Sequence, residues 1–473
     1  MEATVSDERP SPEGPATFRE VFAQREFRAV FTAGALSWVG DYLAKAAVTL
    51  LVYQETKSVA LSAAAFAVSY LPWLTGGPLL AALAERYPYR RVMVACDVIR
   101  MALMLLIAIP GLPVPAVLAL LFLTTLANPP SQAAKSALLP QILAGDRLVV
   151  GLSLNASVGQ ACQVVGYLMG AAIASLDPVA ALLINALTFA ASAVLVRVGV
   201  QDRPPALSPA HRTHLLRETA QGFEIVFGTP VLRAIAVLVY SAMLFSIVPE
   251  GLAAAWANAD AGEHLNPGAA QAVIMAANPV GFILGGLLVG RAVAPARRLA
   301  LMRPLAVVAP LTLVPALFDP PPLVVALLAA ACGFAVAGML PTANGLFVQA
   351  LPDAFRARAF GVMATGVQVI QGLAVLVTGL LAERFAIPTV VGVWSAAGVL
   401  LMLVASLRWP SPQSVDAAVA AAEASNAGSG TGPANAPAGT GTADDPAAVR
   451  PRPAVDPVSG PPGDGGRRRH AVT

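Results

Sequence analysis

Between Arg28 and Arg408 apolar stretches of roughly twenty residues follow one another, separated by short polar gaps. They cover 29–51, 62–83, 93–112, 115–138, 152–175, 178–199, 231–256, 269–293, 300–318, 322–347, 361–382 and 387–407. A bilayer hydrocarbon core of about 30 Å takes about 20 apolar residues as helix. The pattern predicts an all-α membrane protein with twelve transmembrane helices. A chain that is 57% hydrophobic and 12% charged cannot cover itself with a water-soluble surface.

The placement of charge orients the spans. The gaps 1–28, 84–92, 139–151, 200–230, 294–299 and 348–360 hold fifteen Arg and no Lys, whereas the alternate gaps hold only Lys57 and Arg384. Asp260 and Glu263 stand in the gap after the seventh span. Positive charge resists translocation, so both termini are expected in the cytoplasm, as an even number of spans also requires. The polar, Pro-rich N-terminus has no apolar core of a cleavable signal. Three Lys beside abundant Arg, Ala and Pro is the usage of a GC-rich bacterial genome, which assigns the chain to a plasma membrane.

Five segments follow: a cytoplasmic N-terminal segment (1–28), a six-helix bundle (29–199), a cytoplasmic central loop (200–230), a second six-helix bundle (231–407) and a tail (408–473). In the loop, Leu215, Leu216, Phe223 and Phe227 predict an amphipathic helix on the inner membrane face. The tail lacks Phe, Trp and Tyr from Pro410 onward and is expected to be disordered. Its Arg467, Arg468 and Arg469 are candidates for contact with anionic lipid, or form a solvated cluster. The halves echo one another. Pro129 and Pro140 recur 212 residues later as Pro341 and Pro352, which sets Gln132 opposite Asn344. Internal duplication of this kind is a transporter architecture, with the substrate path between the repeats.

Ionisable residues inside spans are costly and each is a functional hypothesis. They are Asp41 and Lys45 in the first span, Asp97 and Arg100 in the third, Lys135 in the fourth and Glu250 in the seventh. Each has a plainer reading beside the functional one. Asp41 and Lys45 are spaced i, i+4 and can neutralise each other. Asp97–Arg100 can be a structural ion pair, and Lys135 can snorkel to the interface. By helical rise, Lys45 and Glu250 lie at similar depth, so a Lys45–Glu250 gate pair is a further expectation. Gln160, Gln163, Asn185, Gln368 and Gln371 are expected to make interhelical hydrogen bonds.

The residues Gly76 to Arg100 read GGPLLAALAERYPYRRVMVACDVIR. This resembles the loop after the second span of the major facilitator superfamily, with Ala81, Leu83, Ala84, Glu85, Arg86 and Arg90 on the motif and Arg91 following. Ala81 stands for Gly, Glu85 for Asp, and Pro88-Tyr89 for Gly-Arg. Gly286 to Arg291 is a weaker copy in the second half. SWVGDYLAKAAVTLLVY, the Asp97-to-Arg100 step, SALLPQ and LPDAFRARAFG resemble the branch containing the enterobactin exporter and similar drug and metabolite exporters. The fifth span keeps Gly159, Gly166 and Gly170 of an antiporter pattern but has Tyr167 where Pro is expected.

The resemblance implies a cytoplasmic latch of Glu85, Arg86, Arg90, Arg91, Asp97 and Arg100, against which plain topogenic charge is the alternative. It also implies that spans one, four, seven and ten line a central cavity. Asp41, Asn128, Gln132, Lys135, Glu250 and Asn344 lie on those spans and, with Lys45, form the expected substrate and proton pathway. The expected cavity is largely apolar. The resulting expectation is a monomeric proton-coupled exporter of drugs or secondary metabolites, whose partners are the bilayer, the small-molecule substrate and protons. A siderophore or lipid-like metabolite exporter, an uptake permease and a transport-inactive receptor are the alternatives. No enzyme constellation, nucleotide-binding loop, cofactor motif, nucleic-acid-binding feature or metal set is evident. His211 and His214 have no third ligand, and Cys96, Cys162 and Cys332 are expected as separate packing residues.

Overall fold

A computed structural model of the chain describes residues 17–75, 86–203, 215–259 and 265–429. Ten segments among them are long and apolar enough to cross a bilayer. These are the first span (Arg25–Thr56), the fourth (Val114–Leu126 with Asn128–Ile142), the fifth (Asp146–Leu176) and the sixth (Pro178–Gly199). In the second half they are the seventh (Pro230–Ser246 with Val248–Ala259), eighth (Pro267–Ala292), tenth (Pro322–Gln349), eleventh (Arg356–Ala382) and twelfth (Ile387–Leu407). The ninth is Pro295–Leu311, finished by a 3-10 turn at Val314–Phe318. The second span is Val59–Val68 and Leu71–Thr75, leading into residues 76–85, which lie outside the described residues. The third, Tyr89–Ile107, carries Arg90, Arg91, Asp97 and Arg100. The twelve-helix fold expected from the hydropathy pattern is the fold of the molecule.

Proline explains where the helices break. The fourth span is interrupted at Ala127, immediately before Asn128, Pro129 and Pro130 restart it. The seventh is interrupted at Ile247, two residues before Pro249. A ring without an N–H fits the first turn of a helix and not its interior. The repeat partner of the fourth span behaves differently, because the tenth runs on through Pro341 as far as Gln349. Glycine explains where helices touch. A Cβ at Gly281 or Gly285 would strike the backbone of Ala330 or Phe334, and one at Gly333 the backbone of Asn278, so the eighth and tenth spans cross backbone to backbone. Gly166 and Gly170 do the same for the fifth span against Val39, Tyr42 and Leu43 of the first.

The tail differs from expectation. Residues 412–429 form a helix, Pro412–Ser429, with Ser411 Oγ accepting from the Ser414 amide at its start. Val415, Ala418 and Val419 pack on the core of the second bundle and Ala422 is buried. Their spacing is that of one helix face, and the absence of aromatics concealed it. Asn426 Oδ1 then accepts from the Asp353 amide at 2.8 Å, beside the start of the eleventh span. The central-loop helix forms as Leu215–Gly228, with Val226 in the same core. Residues 1–16, 204–214, 260–264 and 430–473 lie outside the described residues, and with them His211, His214, Asp260, Glu263 and Arg467 to Arg469.

The face carrying Arg25 and Arg408 is the termini face, and the face carrying Thr56 and Ile387 the far face. A core cluster joins the bundles in the far half, with Ala46, Phe66 and Tyr167 of the first packed among Val248, Trp256, Ile274 and Val375 of the second. At the far surface Glu383 accepts hydrogen bonds from the Ser58 hydroxyl and from the Ala60 amide (2.8 Å), linking the eleventh span to the second.

Candidate functional site

The first span supplies the spine of the site. Gly34, Ser37, Trp38, Asp41 and Lys45 recur at three- and four-residue spacing, so they share one helix face. That face looks into a cavity of about 200 Å³. From Gly34, nine residues beyond Arg25, the lining reaches to about 14 Å from the termini face. The other walls come from the second, third, fourth and sixth spans, with Tyr70 and Trp73, Asp97 and Arg100, Asn128, Gln132 and Lys135, and Ser192. Gln368 is the lining residue contributed by the second bundle.

Arg100 is the centre of a buried ion network. It is 2% exposed and its guanidinium pairs with Asp41, donates to Ser37 Oγ at 3.0 Å, and lies 3.8 Å from Asp97 Oδ1. Phe189 closes the remaining side, its ring centroid 4.1 Å from Cζ. Ser192 Oγ donates to the other Asp97 oxygen at 2.6 Å. The i, i+4 pairing of Asp41 with Lys45 is therefore not formed. A guanidinium gives carboxylates a planar fork of donors, which an ammonium lacks.

Lys45 sits instead among rings, 4.4 Å from the Tyr70 centroid, 4.6 Å from Phe66 and 5.9 Å from Tyr42. Its Nζ donates to Tyr70 OH at 3.3 Å. The expected Lys45–Glu250 pair is not formed either. Glu250, 3% exposed, accepts from Tyr167 OH at 3.0 Å and from Gln163 Nε2 at 3.4 Å. Tyr167, which replaces the proline expected in the fifth span, packs edge-on against Tyr42 (5.2 Å) and occupies the contact that the sequence assigned to Lys45. Lys135 is 7% exposed, lies 4.0 Å from the Trp38 ring centroid, and its Nζ has no hydrogen-bond partner. It does not reach the interface by snorkelling.

Among the described residues, the latch members Arg90, Arg91, Asp97 and Arg100 do not bond across the bundles. Arg90 bonds Asp202 at 3.0 Å and the Val200 carbonyl at 3.2 Å, and Arg91 bonds the same carboxylate at 3.3 Å. All of these belong to the first bundle or its exit. Arg86 is exposed, and Glu85 lies outside the described residues. Asn344 is exposed and does not line the cavity. Sequence reasoning missed Trp38, Ser37, Ser192, Tyr167 and the aromatic residues around Lys45. The Gly34–Ser37–Trp38–Asp41–Lys45 stripe was the available signal for the first two. Of the expected interhelical amides, Gln163 reaches Glu250 and Gln371 reaches Met243 Sδ at 3.8 Å. The hydrogen bonds between bundles among the described residues all lie in the far half: those to Glu250 and Glu383, and Gln271 Nε2 to the Ala46 carbonyl at 2.9 Å with a longer contact to Thr49 Oγ1.

The sequence profile of the Major Facilitator Superfamily matches residues 30–324 and 250–451. No curated protein matches the chain. Among solved structures, a nucleoside transporter, NupG, is similar with TM-score 0.62 at 16% identity, over 81% of this chain and 99% of that one. A POT family transporter in complex with a thioalcohol-conjugated peptide gives 0.64 at 12%, over 80% and 95%. A peptide transporter POT in complex with sulfate gives 0.61 at 17%, over 83% and 95%. At such identities the likeness is one of fold.

Proposed function

Because the chain belongs to the major facilitator superfamily, and is a membrane transporter rather than an enzyme, we propose that it is a proton-coupled exporter of small amphipathic molecules. Drugs or secondary metabolites are the substrate class, a siderophore or lipid-like metabolite belongs to the same reading, and the plasma membrane is the location. The termini face is the cytoplasmic one. With the bundles bonded in the far half and the cavity lining reaching from Lys45 toward the termini side as far as Gly34, the conformation is the inward-facing member of an alternating pair. The Trp38, Tyr42, Tyr70 and Trp73 rings beside Asn128 and Gln132 give the cavity the mixed lining that an amphipathic solute requires. It is more charged than the sequence led one to expect, since Asp41, Lys45, Arg100 and Lys135 all line it.

Glu250 carries the coupling. A proton on Asp41 would take the closest carboxylate from a buried guanidinium, leaving it Asp97 and Ser37, whereas Glu250 is held by a neutral phenol and a neutral amide across the bundle interface. Protonating it removes the acceptor charge that joins the fifth span to the seventh, which loosens the far-face closure. Asp41, a member of the expected substrate and proton pathway, is reassigned to holding Arg100.

The test is solute-dependent proton flux in proteoliposomes under an imposed pH gradient. Glu250→Gln is expected to abolish uphill transport and retain downhill exchange, as for a group that carries the proton and not the solute. Undiminished pH-driven accumulation in that variant would remove Glu250 from the mechanism.

A further inference from the structure

The unexplained group in the cavity is the Lys135 ammonium. It is more than nine-tenths buried, its Nζ has no hydrogen-bond partner, and it belongs to the cavity wall. A lone buried ammonium is strongly unfavourable unless an anion or several acceptors compensate it. Asp41 and Asp97 are already engaged by Arg100, Ser37's neighbour on the same wall, and Asp97 also by Ser192. The position is nonetheless a built one. Gly34 leaves the space that the ammonium occupies, since a Cβ there would collide with Nζ and approach Cε. Trp38, one turn further along the same helix face, lays its ring against the charge. Asn128 and Gln132, on the helix that carries Lys135, add amide groups to the same cavity.

We propose that Lys135 is the anchor for an anionic group of the transported solute, a carboxylate in the simplest case. The substrate is then an amphipathic anion whose apolar part lies along Trp38, Trp73 and Met93. This rests on the transporter reading above only in taking the cavity as the solute site, and it narrows the solute class by charge. The anion completes a hydrogen-bonded pair that the protein leaves open, so binding gains a charge-assisted hydrogen bond to a cation whose nearby carboxylate, Asp97, is bonded to Arg100 and Ser192 instead.

Purified full-length protein in nanodiscs, measured against empty nanodiscs, is titrated with phenylalkyl carboxylates and with the amides and amines of the same chain lengths, phenylbutyrate, phenylbutyramide and phenylbutylamine among them. The carboxylate is expected to bind about tenfold or more tighter than its amide, and the amine weakest. Lys135→Gln is expected to bring carboxylate affinity down to that of the amide, and Lys135→Arg to keep most of the preference. Gly34→Ala is the gentler second variant. The atom it displaces is the free end of a flexible side chain, so the fold is kept while the ammonium is pushed off Trp38, and the carboxylate preference is expected to fall. Equal or absent binding of carboxylate and amide at every chain length, a preference for the amine, or a carboxylate preference that survives Lys135→Gln or, should that variant not fold, Gly34→Ala, would overturn the proposal. Binding is read without a pH gradient. Carboxylate preference with no proton flux would therefore reject coupling and leave the anion anchor standing, and proton flux driven equally by amide and carboxylate would do the reverse.

Discussion

At the scale of single residues the cavity divides its charges into satisfied and waiting ones. Arg100 is engaged by two carboxylates, a hydroxyl and a ring, with only its Nε left without a hydrogen bond. Removing one partner of a buried ion pair typically costs about 3–5 kcal/mol. Asp41→Asn is expected to fall at or below the low end of that range, because Asp41 is 27% exposed and Arg100 keeps Asp97 and Ser37. Thermal unfolding in detergent should reveal the loss, and an Asp41→Asn protein as stable as the parent would mean that the guanidinium is solvated. Which residues were ionisable and intramembrane was legible in the sequence, because cost in lipid singles them out. Their pairing was not. Asp41 has Lys45 four residues away and Arg100 fifty-nine away, and only the packing of the first and third spans on the sixth decides for the second. The same applies to Glu250, whose partner is a tyrosine that the sequence presents as a mere departure from a pattern.

At the scale of elements, the helices meet through small residues, and a few of them start on polar caps such as Ser58, Asp177 and Asn266. Gly170 faces the backbone of Leu43, which cannot move aside, whereas nothing lies within 4 Å of a Cβ at Gly290. Gly170→Ala is expected to lower the yield of folded protein severalfold and Gly290→Ala to leave it unchanged, read by size-exclusion profile after solubilisation. Equal yields would mean that the first and fifth spans have room to separate. At the far surface, the Ser58 hydroxyl and the Ala60 amide hold the Glu383 carboxyl below its ordinary value of 4.5. A carboxyl with a lowered folded-state value stabilises the closed far face above the ordinary value and loses that contribution as pH falls through the lowered one. Acidifying that side well below this ordinary value, or substituting Glu383→Gln, should raise the labelling rate of a cysteine introduced at Ala63. A rate indifferent to both would show that the packing of Gly379 on Ala63 closes the face unaided. The elements themselves were legible almost throughout, since twenty-residue hydropathy is a strong signal. The helix over 412–429 was not, because four small apolar residues on an alanine-rich face resemble a disordered tail until a bundle is there to receive them.

At the scale of the whole molecule, the two bundles are alike in fold and unlike in chemistry. The charged residues lining the cavity, Asp41, Lys45, Asp97, Arg100 and Lys135, all belong to the first bundle, and Gln368 represents the second. The duplication visible in the prolines announced the likeness, but the unlikeness emerges only once the lining is known. It has an electrical consequence. Three cations against two carboxylates give that wall an excess of positive charge inside the membrane. An elementary charge crossing the whole field changes energy by about 2.3 kcal/mol per 100 mV. A wall that rocks through part of the field feels part of that, so membrane voltage acts on the empty carrier directly, and a negative interior favours whichever state brings Lys45 and Lys135 closer to the cytoplasm. In proteoliposomes clamped at fixed pH with a potassium ionophore, the ratio of inward to outward cysteine accessibility should shift with voltage, and Lys135→Gln should reduce the shift. A ratio independent of voltage would mean that the excess charge stays still while the helices move around it. A cell that lost its voltage would then hold this carrier in a different balance of states even with its proton gradient intact.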